Sequence, residues 1–186
     1  MSERLTGAVA LPDGTQVRGR GRREPLPPGP LPSYGLYLGR EPGPPPRRLD
    51  REPGTPMRRL DRARARLLLR RAPVWRPDWP AQWVDWPDFR TPRNDRAAAD
   101  AIQHAYLLAR AGQRVEVACV GGTGRTGTVI ACMAVLAGHP AEDAVDWTRR
   151  HYRPRAVETR GQRRWIGWFA AHSSGSSADR LGLPPE

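Results

Sequence analysis

The feature of this sequence that constrains it most is residues 115–127, VEVACVGGTGRTG, where a β-branched run ends at Cys119 and a small-residue loop leads to Arg125. An apolar, helix-like segment follows. Backbone N–H groups in such a loop turn inward and bind an anion at the positive end of the next helix. The same field lowers the pKa of a thiol, and a guanidinium can grip two phosphoryl oxygens at once. The pattern predicts a cysteine nucleophile beside an oxyanion cradle, the arrangement of a cysteine phosphatase.

Three other interpretations fit parts of this loop. Gly122 to Gly127 also matches G-x-G-x-x-G, but the acids at the distance a dinucleotide fold requires, Glu142 and Asp143, stand in a helix-like segment. A Walker-type loop would need a lysine after its glycines, and this sequence has none. A buried structural cysteine beside a glycine-rich turn is the third interpretation, and the loop by itself leaves it open.

Two further motifs in the right order give the chain its resemblance to the cysteine-based protein tyrosine phosphatase superfamily. The phosphate loop of that family, H-C-x5-R-[ST]-G, is similar to residues 118–127. Trp86-Pro87-Asp88 resembles the mobile loop that carries the general acid of the family. Residues 158–162, ETRGQ, resemble the loop whose glutamine positions the hydrolytic water. The resemblance covers about residues 30 to 170 and is closest to small, dual-specificity-like enzymes.

The resemblance implies a role for each matching side chain. Cys119 would attack phosphorus and form a phosphocysteine, and Asp88 would protonate the leaving group and then act as a base. Thr126 would donate its hydroxyl to the sulfur, Gln162 would position the water, and Trp86 would serve as a hinge of the acid loop. The predicted phosphate-binding groups are the guanidinium of Arg125 and the backbone N–H groups of Val120, Gly121, Gly122, Thr123, Gly124 and Arg125.

Some of these assignments have competitors within the sequence. Asp78 and Asp85 also lie near tryptophan and proline, but Asp88 follows a strand-like segment and matches the family order. Gln162 stands three residues after Thr159, so it equally fits a capping box at a helix start. The family has histidine before the cysteine where this chain has Ala118, which opens the question of what else organises the loop and its thiolate.

Composition limits the class of protein and its surroundings. A chain of 186 residues can bury one sizeable core, and no run of 18 apolar residues or basic-then-apolar N-terminus indicates a membrane span or a signal peptide. Cys132 is predicted to be a core residue of the helix after Arg125, too distant to bridge Cys119. We expect a cytoplasmic enzyme, because a reactive thiolate suits a reducing compartment. We expect no cofactor and no metal.

The net charge of +12 comes with 31 basic residues, all of them arginine. With abundant alanine, glycine and proline this suggests GC-biased coding and a bacterial source. Twelve arginines lie between residues 40 and 76, where residues 40–50 and 51–61 form a tandem repeat. We interpret the repeat as a duplication within a surface loop, with a basic flap that steers anionic ligands as the alternative.

The fold class predicted is α/β, with a mainly parallel central sheet flanked by helices and the phosphate loop between a central strand (115–119) and a buried helix (125–137). The division predicted is a hairpin and Pro/Gly linker at 1–29, a catalytic domain at 30–172 with an insert at 40–61, and a disordered tail at 173–186. A further helix is expected over 94–111, capped by Asn94 or Asp95 and ended by Gly112.

The sequence therefore predicts a phosphatase for phosphate monoesters, with protein phosphotyrosine as the first substrate class and dual specificity as the second. Its partners would be phosphorylated proteins or small phosphate esters, and the sequence does not specify an oligomeric state. A phospho-ligand-binding pseudophosphatase is an alternative, against which the intact Cys119, Arg125 and Asp88 argue. An arginine-rich nucleic-acid binder is a further alternative, but it rests on charge alone and we expect no nucleic-acid partner.

Overall fold

The computed structural model describes residues 4–42 and 76–173. The chain divides into two compact units, residues 1–41 with 79–186, and residues 42–78. Most of the repeat at 40–61 and all of the tail after Ser173 lie outside the described residues, as does most of the second unit.

A five-stranded sheet organises the first unit. Its strands are β1 (Ala8–Ala10), β2 (Gln16–Gly21), β3 (Tyr34–Leu38), β4 (Ala81–Val84) and β5 (Val115–Cys119). The order across the sheet is β1-β2-β5-β3-β4; β1 is antiparallel to β2, and every other pairing is parallel. The helices are α1 (Asp95–Arg110), α2 (Gly124–Leu136), α3 (Ala144–His151) and α4 (Arg160–Ser173). The predicted α/β fold with a mainly parallel sheet is therefore confirmed.

The predicted N-terminal hairpin forms, and it belongs to the same compact unit as Cys119. Val17 is aligned with Val115 and Gly21 with Cys119, so β2 pairs in parallel with the central strand. A boundary at residues 29/30 consequently does not separate a structural unit. The hairpin signal is local, whereas the pairing of β2 with β5 joins segments almost a hundred residues apart, which local patterns do not encode.

Local signals fix the ends of the longest helix. The Asn94 side chain accepts a hydrogen bond from the Ala97 N–H at 3.0 Å, and Gly112 follows the helix at φ +82°. Asn94 is therefore the cap, and Gly112 supplies the left-handed residue that L side chains avoid. Only residues 111–114 separate this helix from β5, so the helix constrains the position of the central strand.

The described helices cover the face of the sheet that carries Cys119. A Cβ on Gly19 would lie 2.6 Å from Ile130 of α2, and Tyr34 packs edge-on against His104 of α1. The predicted core role of Cys132 is confirmed, since it is fully buried in α2 and burial raises the pKa of its thiol.

A buried ionic cluster occupies the opposite face. Glu116 is fully buried and accepts hydrogen bonds from Arg18 Nε at 2.9 Å and from Arg20 Nε and Nη2 at 3.0 Å. Arg20 also donates to the carbonyl of Gly21 at 3.1 Å. Because a buried charge is costly without its partner, this cluster fixes the end of β2, which forms one wall of the candidate site.

Candidate active site

The candidate nucleophile lies at the carboxyl end of the central strand. Cys119 is the last residue of β5 and is 2% exposed. Its sulfur accepts a hydrogen bond from the Gly122 N–H at 3.1 Å. The Thr126 hydroxyl oxygen accepts from the Cys119 N–H at 2.9 Å, so its observed contact is with the backbone of the cysteine. The predicted donation of the Thr126 hydroxyl to sulfur is compatible with this bond and stays a prediction.

The predicted phosphate-binding residues form the turn between β5 and the start of α2. Thr123 is the N-cap of α2 and makes no side-chain capping hydrogen bond. Donors at the first turn of a helix have no partner within the helix, and the helix dipole places positive charge at the same point. The arrangement can therefore accept an oxyanion close to the Cys119 sulfur.

Gly122 is required by the geometry of this loop. Its φ is +72°, and a Cβ there would lie 2.5 Å from the backbone nitrogen of Gly21. Any side chain would meet both backbone strain and the end of β2. The close approach lets the Gly122 N–H reach the Cys119 sulfur.

Two residues after α3, which the sequence did not single out, hold the outer side of the loop. The Tyr152 hydroxyl donates to the Gly122 carbonyl, and Arg153 donates to the Gly121 carbonyl at 3.3 Å. Arg153 is in turn ion-paired with Glu24 at 2.8 Å. Bonds that hold these carbonyls outward help direct the adjoining N–H groups inward. They give the loop an organisation that does not depend on a histidine at position 118.

Arg125 is the buried cation of the site. It is 4% exposed, and its Nη1 donates to the carbonyls of Trp86 at 2.9 Å and Leu38 at 3.4 Å. Its Nη2 lies 2.9 Å from Oδ1 of Asp88. Its Nε is buried and has no hydrogen-bond partner in the described part of the chain. The Nε and Nη2 edge is thus the one that can receive two oxygens of a phosphoryl group.

The acid loop is anchored by its tryptophan. Trp86 is fully buried, donates its Nε1 to the Arg90 carbonyl at 2.7 Å and packs edge-on against Trp165. Its own carbonyl accepts a hydrogen bond from Arg125, so Trp86 links the buried indole to that guanidinium. This anchoring is consistent with the predicted hinge role, which remains a prediction.

The structure distinguishes the candidate acids by their partners. Asp88 is 60% exposed and is paired with Arg125, whereas Asp85 is paired with the exposed Arg93 at 3.4 Å. Asp78 belongs to the second compact unit. Of the two aspartates that line the cleft, Asp88 is thus the one in contact with Arg125.

Gln162 forms the capping box that the sequence suggested, and its role in positioning water stays a prediction. It is fully buried, and its Oε1 accepts from the backbone N–H groups of Glu158 and Thr159 at 2.9 and 3.2 Å. The Thr159 hydroxyl accepts from the Gln162 N–H, which completes a capping box. Its Nε2 is buried without a partner among the described residues and lies 3.1 Å from the point that a Cβ on Gly124 would occupy. The amide thus caps α4 with one end and faces the phosphate loop with the other.

The cleft over this site has a volume of about 610 Å³ and is rich in arginine. Its charged lining residues are Arg22, Arg40, Arg93, Arg125, Asp85 and Asp88. Arg22 follows β2, and the sequence does not indicate that it belongs to the site, because nothing near it in the chain resembles a motif.

Among the described residues, no cluster of three or more His, Cys, Asp or Glu side chains could hold a metal ion. None of the helices formed by these residues is long and apolar enough to cross a membrane.

Comparison with known proteins shows a family match over the segment that holds the three motifs. Residues 86–166 match a family model described as PTP-SAK, Swiss Army Knife protein, DSP-PTPase phosphatase domain. That match begins at Trp86 and includes the phosphate loop and Gln162.

Solved phosphatases share the fold. Tk-PTP in its active form superposes with a TM-score of 0.56 at 20% identity, over 90% of this chain and 98% of that one. Kinase-associated phosphatase, with serine in place of its catalytic-site cysteine, gives 0.56 at 12% identity over 94% and 99%. At these identities the likeness establishes a tyrosine-phosphatase-like fold.

One curated relative, the uncharacterized protein MJECL20 of Methanocaldococcus jannaschii, is 44% identical over 55 residues. The match spans 30% of this chain and about a third, 36%, of that relative's length. Because this relative is archaeal, the bacterial source expected from composition gains no support from it.

Proposed function

We propose that this chain hydrolyses phosphate monoesters through a phosphocysteine formed at Cys119. The observation that carries the proposal is the Cys119 sulfur held by a loop N–H at 3.1 Å, in a turn closed by the buried Arg125. The match of residues 86–166 to a phosphatase family model and the shared fold of two solved phosphatases support it.

The first half-reaction transfers the phosphoryl group to sulfur. The Cys119 thiolate attacks phosphorus, the S–P bond forms, and the electron pair of the breaking P–O bond goes to the leaving oxygen. Asp88 supplies the proton that this oxygen needs. The loop N–H groups and the Nε and Nη2 edge of Arg125 bind the equatorial oxygens, where charge is spread in the transition state.

The second half-reaction hydrolyses the phosphocysteine and regenerates the Cys119 thiolate. A water molecule attacks phosphorus, Asp88 takes its proton, and the S–P bond breaks to give inorganic phosphate and thiolate. The buried Nε2 of Gln162, facing Gly124, is a donor suited to orient that water.

The ion pair between Asp88 and Arg125 couples phosphate binding to the position of the proposed acid. A bound phosphate dianion competes with the Asp88 carboxylate for Nη2 of Arg125. Once displaced from Arg125, the Asp88 carboxyl is free to face the leaving oxygen of the substrate. Phosphate binding would thereby prepare the acid.

Protein phosphotyrosine is the substrate class we propose first, with phosphoserine and phosphothreonine as a dual-specificity extension. The cleft is open to solvent and Asp88 is 60% exposed, so an extended phosphorylated segment has access to it. We propose a cytoplasmic setting, because a reactive thiolate needs reducing conditions.

The test is hydrolysis of an aryl phosphate combined with trapping of the phosphoenzyme. Wild type should turn over and yield acid-quenched phosphocysteine, and Cys119→Ser should lose both while it still binds inorganic phosphate. Cys132→Ala removes the other thiol of the chain, fully buried in α2, and should keep both activities. A wild-type protein that binds phosphate yet never turns over would favour the pseudophosphatase alternative.

A further inference from the structure

We propose that Arg22 forms, with Arg40, a subsite for a second phosphate carried by the leaving group of the substrate. The proposal rests on the proposed phosphatase function and names a substrate class for it: esters with two phosphates close together. Such a substrate places one phosphate in the loop of Cys119 and the other against Arg22.

The backbone position of Arg22 brings its side chain to the site. Its N–H donates to the Cys119 carbonyl at 2.7 Å, so it stands beside the nucleophile where β2 ends. Its guanidinium lies over the ring of Trp83 at 4.9 Å. A Cβ on Gly39 would lie 3.6 Å from Nη2 of Arg22 and 3.5 Å from Nη1 of Arg125, so the two cations border the same small space.

The orientation of Arg125 separates Arg22 from the scissile phosphate. Nη1 of Arg125, the atom next to Gly39, is already bonded to the carbonyls of Trp86 and Leu38. The edge that can receive the phosphoryl group is formed by Nε and Nη2 of Arg125. Arg22 therefore adjoins the Nη1 end of Arg125, beside the edge that can receive the phosphoryl group, where a neighbouring group of the substrate would reach it.

Charge balance within the cleft also indicates an anion at this point. Arg125 is paired with Asp88 and Arg93 with Asp85, whereas Arg22 and Arg40 have no carboxylate partner among the described residues. The buried Nε of Arg22 has no hydrogen-bond partner there either. Burial first, and the charge of Arg125 second, lower the pKa of the Arg22 guanidinium. A bound anion would offset both effects, because a nearby opposite charge favours the charged form of the guanidinium.

Packing on Trp83 does not by itself account for this placement. A cation–π contact stabilises the guanidinium over the ring by roughly 0.5–2 kcal/mol. It does not compensate for the nearby charge of Arg125, which opposes the placement of a second cation. A ligand with a second negative charge supplies that compensation.

Substrate pairs test the subsite by activity. Benzene-1,3-diyl bisphosphate is compared with 3-carbamoylphenyl phosphate, and a peptide with two adjacent phosphotyrosines with its singly phosphorylated form. Wild type should prefer a doubly phosphorylated member by about tenfold in kcat/KM, mainly through KM. Arg22→Gln should remove most of that preference while turnover of the singly phosphorylated members is retained. Arg23→Gln removes an equal charge from an exposed neighbour outside the cleft and should change little.

Binding to the Cys119→Ser variant tests the subsite without turnover. Calorimetry should show pyrophosphate or tripolyphosphate bound about tenfold more tightly than phosphate, and Arg22→Gln should close the gap. Should Arg22→Gln fail to fold, Arg22→Lys and Arg40→Gln replace it. Each of these variants should reduce in part the difference in affinity between polyphosphate and phosphate.

The two proposals fail in different ways. Turnover without any preference in either substrate pair, or a preference that Arg22→Gln leaves intact, overturns the subsite and leaves the phosphatase standing. If polyphosphate binds more tightly than phosphate, this difference depends on Arg22 and the protein shows no turnover, the phosphatase function is overturned and the subsite is supported. Absence of phosphate and polyphosphate binding overturns both.

Discussion

Replacing Asp88 by asparagine should slow the reaction and tighten phosphate binding at the same time. Asparagine keeps the size of the side chain but can neither donate the leaving-group proton nor compete as a charge for Arg125. The loss of the general acid should lower the rate with a phosphotyrosyl substrate by about 10²- to 10⁴-fold. An ester of a much more acidic phenol should lose far less, because its leaving group scarcely needs the proton.

The gain in affinity can be bounded from the ion pair. Asp88 contacts Nη2 of Arg125 at 2.9 Å but is 60% exposed, so solvent screens the pair. Pairs of this kind are worth about 0.2–1 kcal/mol. Removing the competitor should therefore tighten inorganic phosphate by about 1.5- to 5-fold. Calorimetry in the Cys119→Ser background measures this value without turnover.

Asp85→Asn is the matched control. Asp85 lines the same cleft and is 58% exposed, but its partner is Arg93. The control should keep the wild-type rate with a phosphotyrosyl substrate, which Asp88→Asn should lower. Equal rate losses for acidic and weakly acidic phenols would refute the acid role, and weaker phosphate binding in Asp88→Asn would refute the competition for Arg125.

Three further predictions concern the framework of the loop. Arg125→Lys should reduce kcat/KM at least about 100-fold, because a point charge cannot reproduce the bidentate fork, and steady-state kinetics measures this. Tyr152→Phe should weaken phosphate binding and lower the stability by about 1–3 kcal/mol in denaturant titration, since the Gly122 carbonyl loses its donor. Burial raises the pKa of Tyr152, so its contribution to stability is fully present below the unfolded value near 10 and is lost as pH rises through the higher folded value. Although burial opposes the shift, Arg153 lowers the pKa of Glu24, so stability from this pair is present above about pH 4.5 and is lost as pH falls through the lower folded value. Thermal melts of Glu24→Gln should accordingly show a shallower decline in acid than those of wild type.

The parts of the site that the sequence predicts are those confined to one short segment. Residues 119–125 contain the thiol, the glycine that tolerates φ +72° and the arginine, so their spacing alone places them at the junction of β5 and α2. Asn94 and Gly112 fix the helix before the strand in the same local way. In each case the local structure depends on backbone geometry within a few positions of the residue.

Other parts depend on contacts between distant segments. Arg22 and Tyr152 reach the phosphate loop from β2 and from the end of α3, and neither belongs to a recognisable motif. Their neighbours in space follow from the parallel pairing of β2 with β5 and from the space that Gly19 leaves for the Tyr152 ring. Sequence periodicity indicates which residues are buried, but it does not indicate which segments meet.

Gln162 shows why two interpretations that compete in a sequence need not exclude each other in a structure. An amide has an acceptor end and a donor end, and a capping box uses the acceptor. Because two backbone N–H groups at 2.9 and 3.2 Å fix Oε1, the orientation of the whole side chain is set, and Nε2 is directed to the phosphate loop. The cap therefore supplies the rigidity that positioning a water would require. An unpaired buried donor is costly, and a water held for attack on the phosphocysteine would satisfy it.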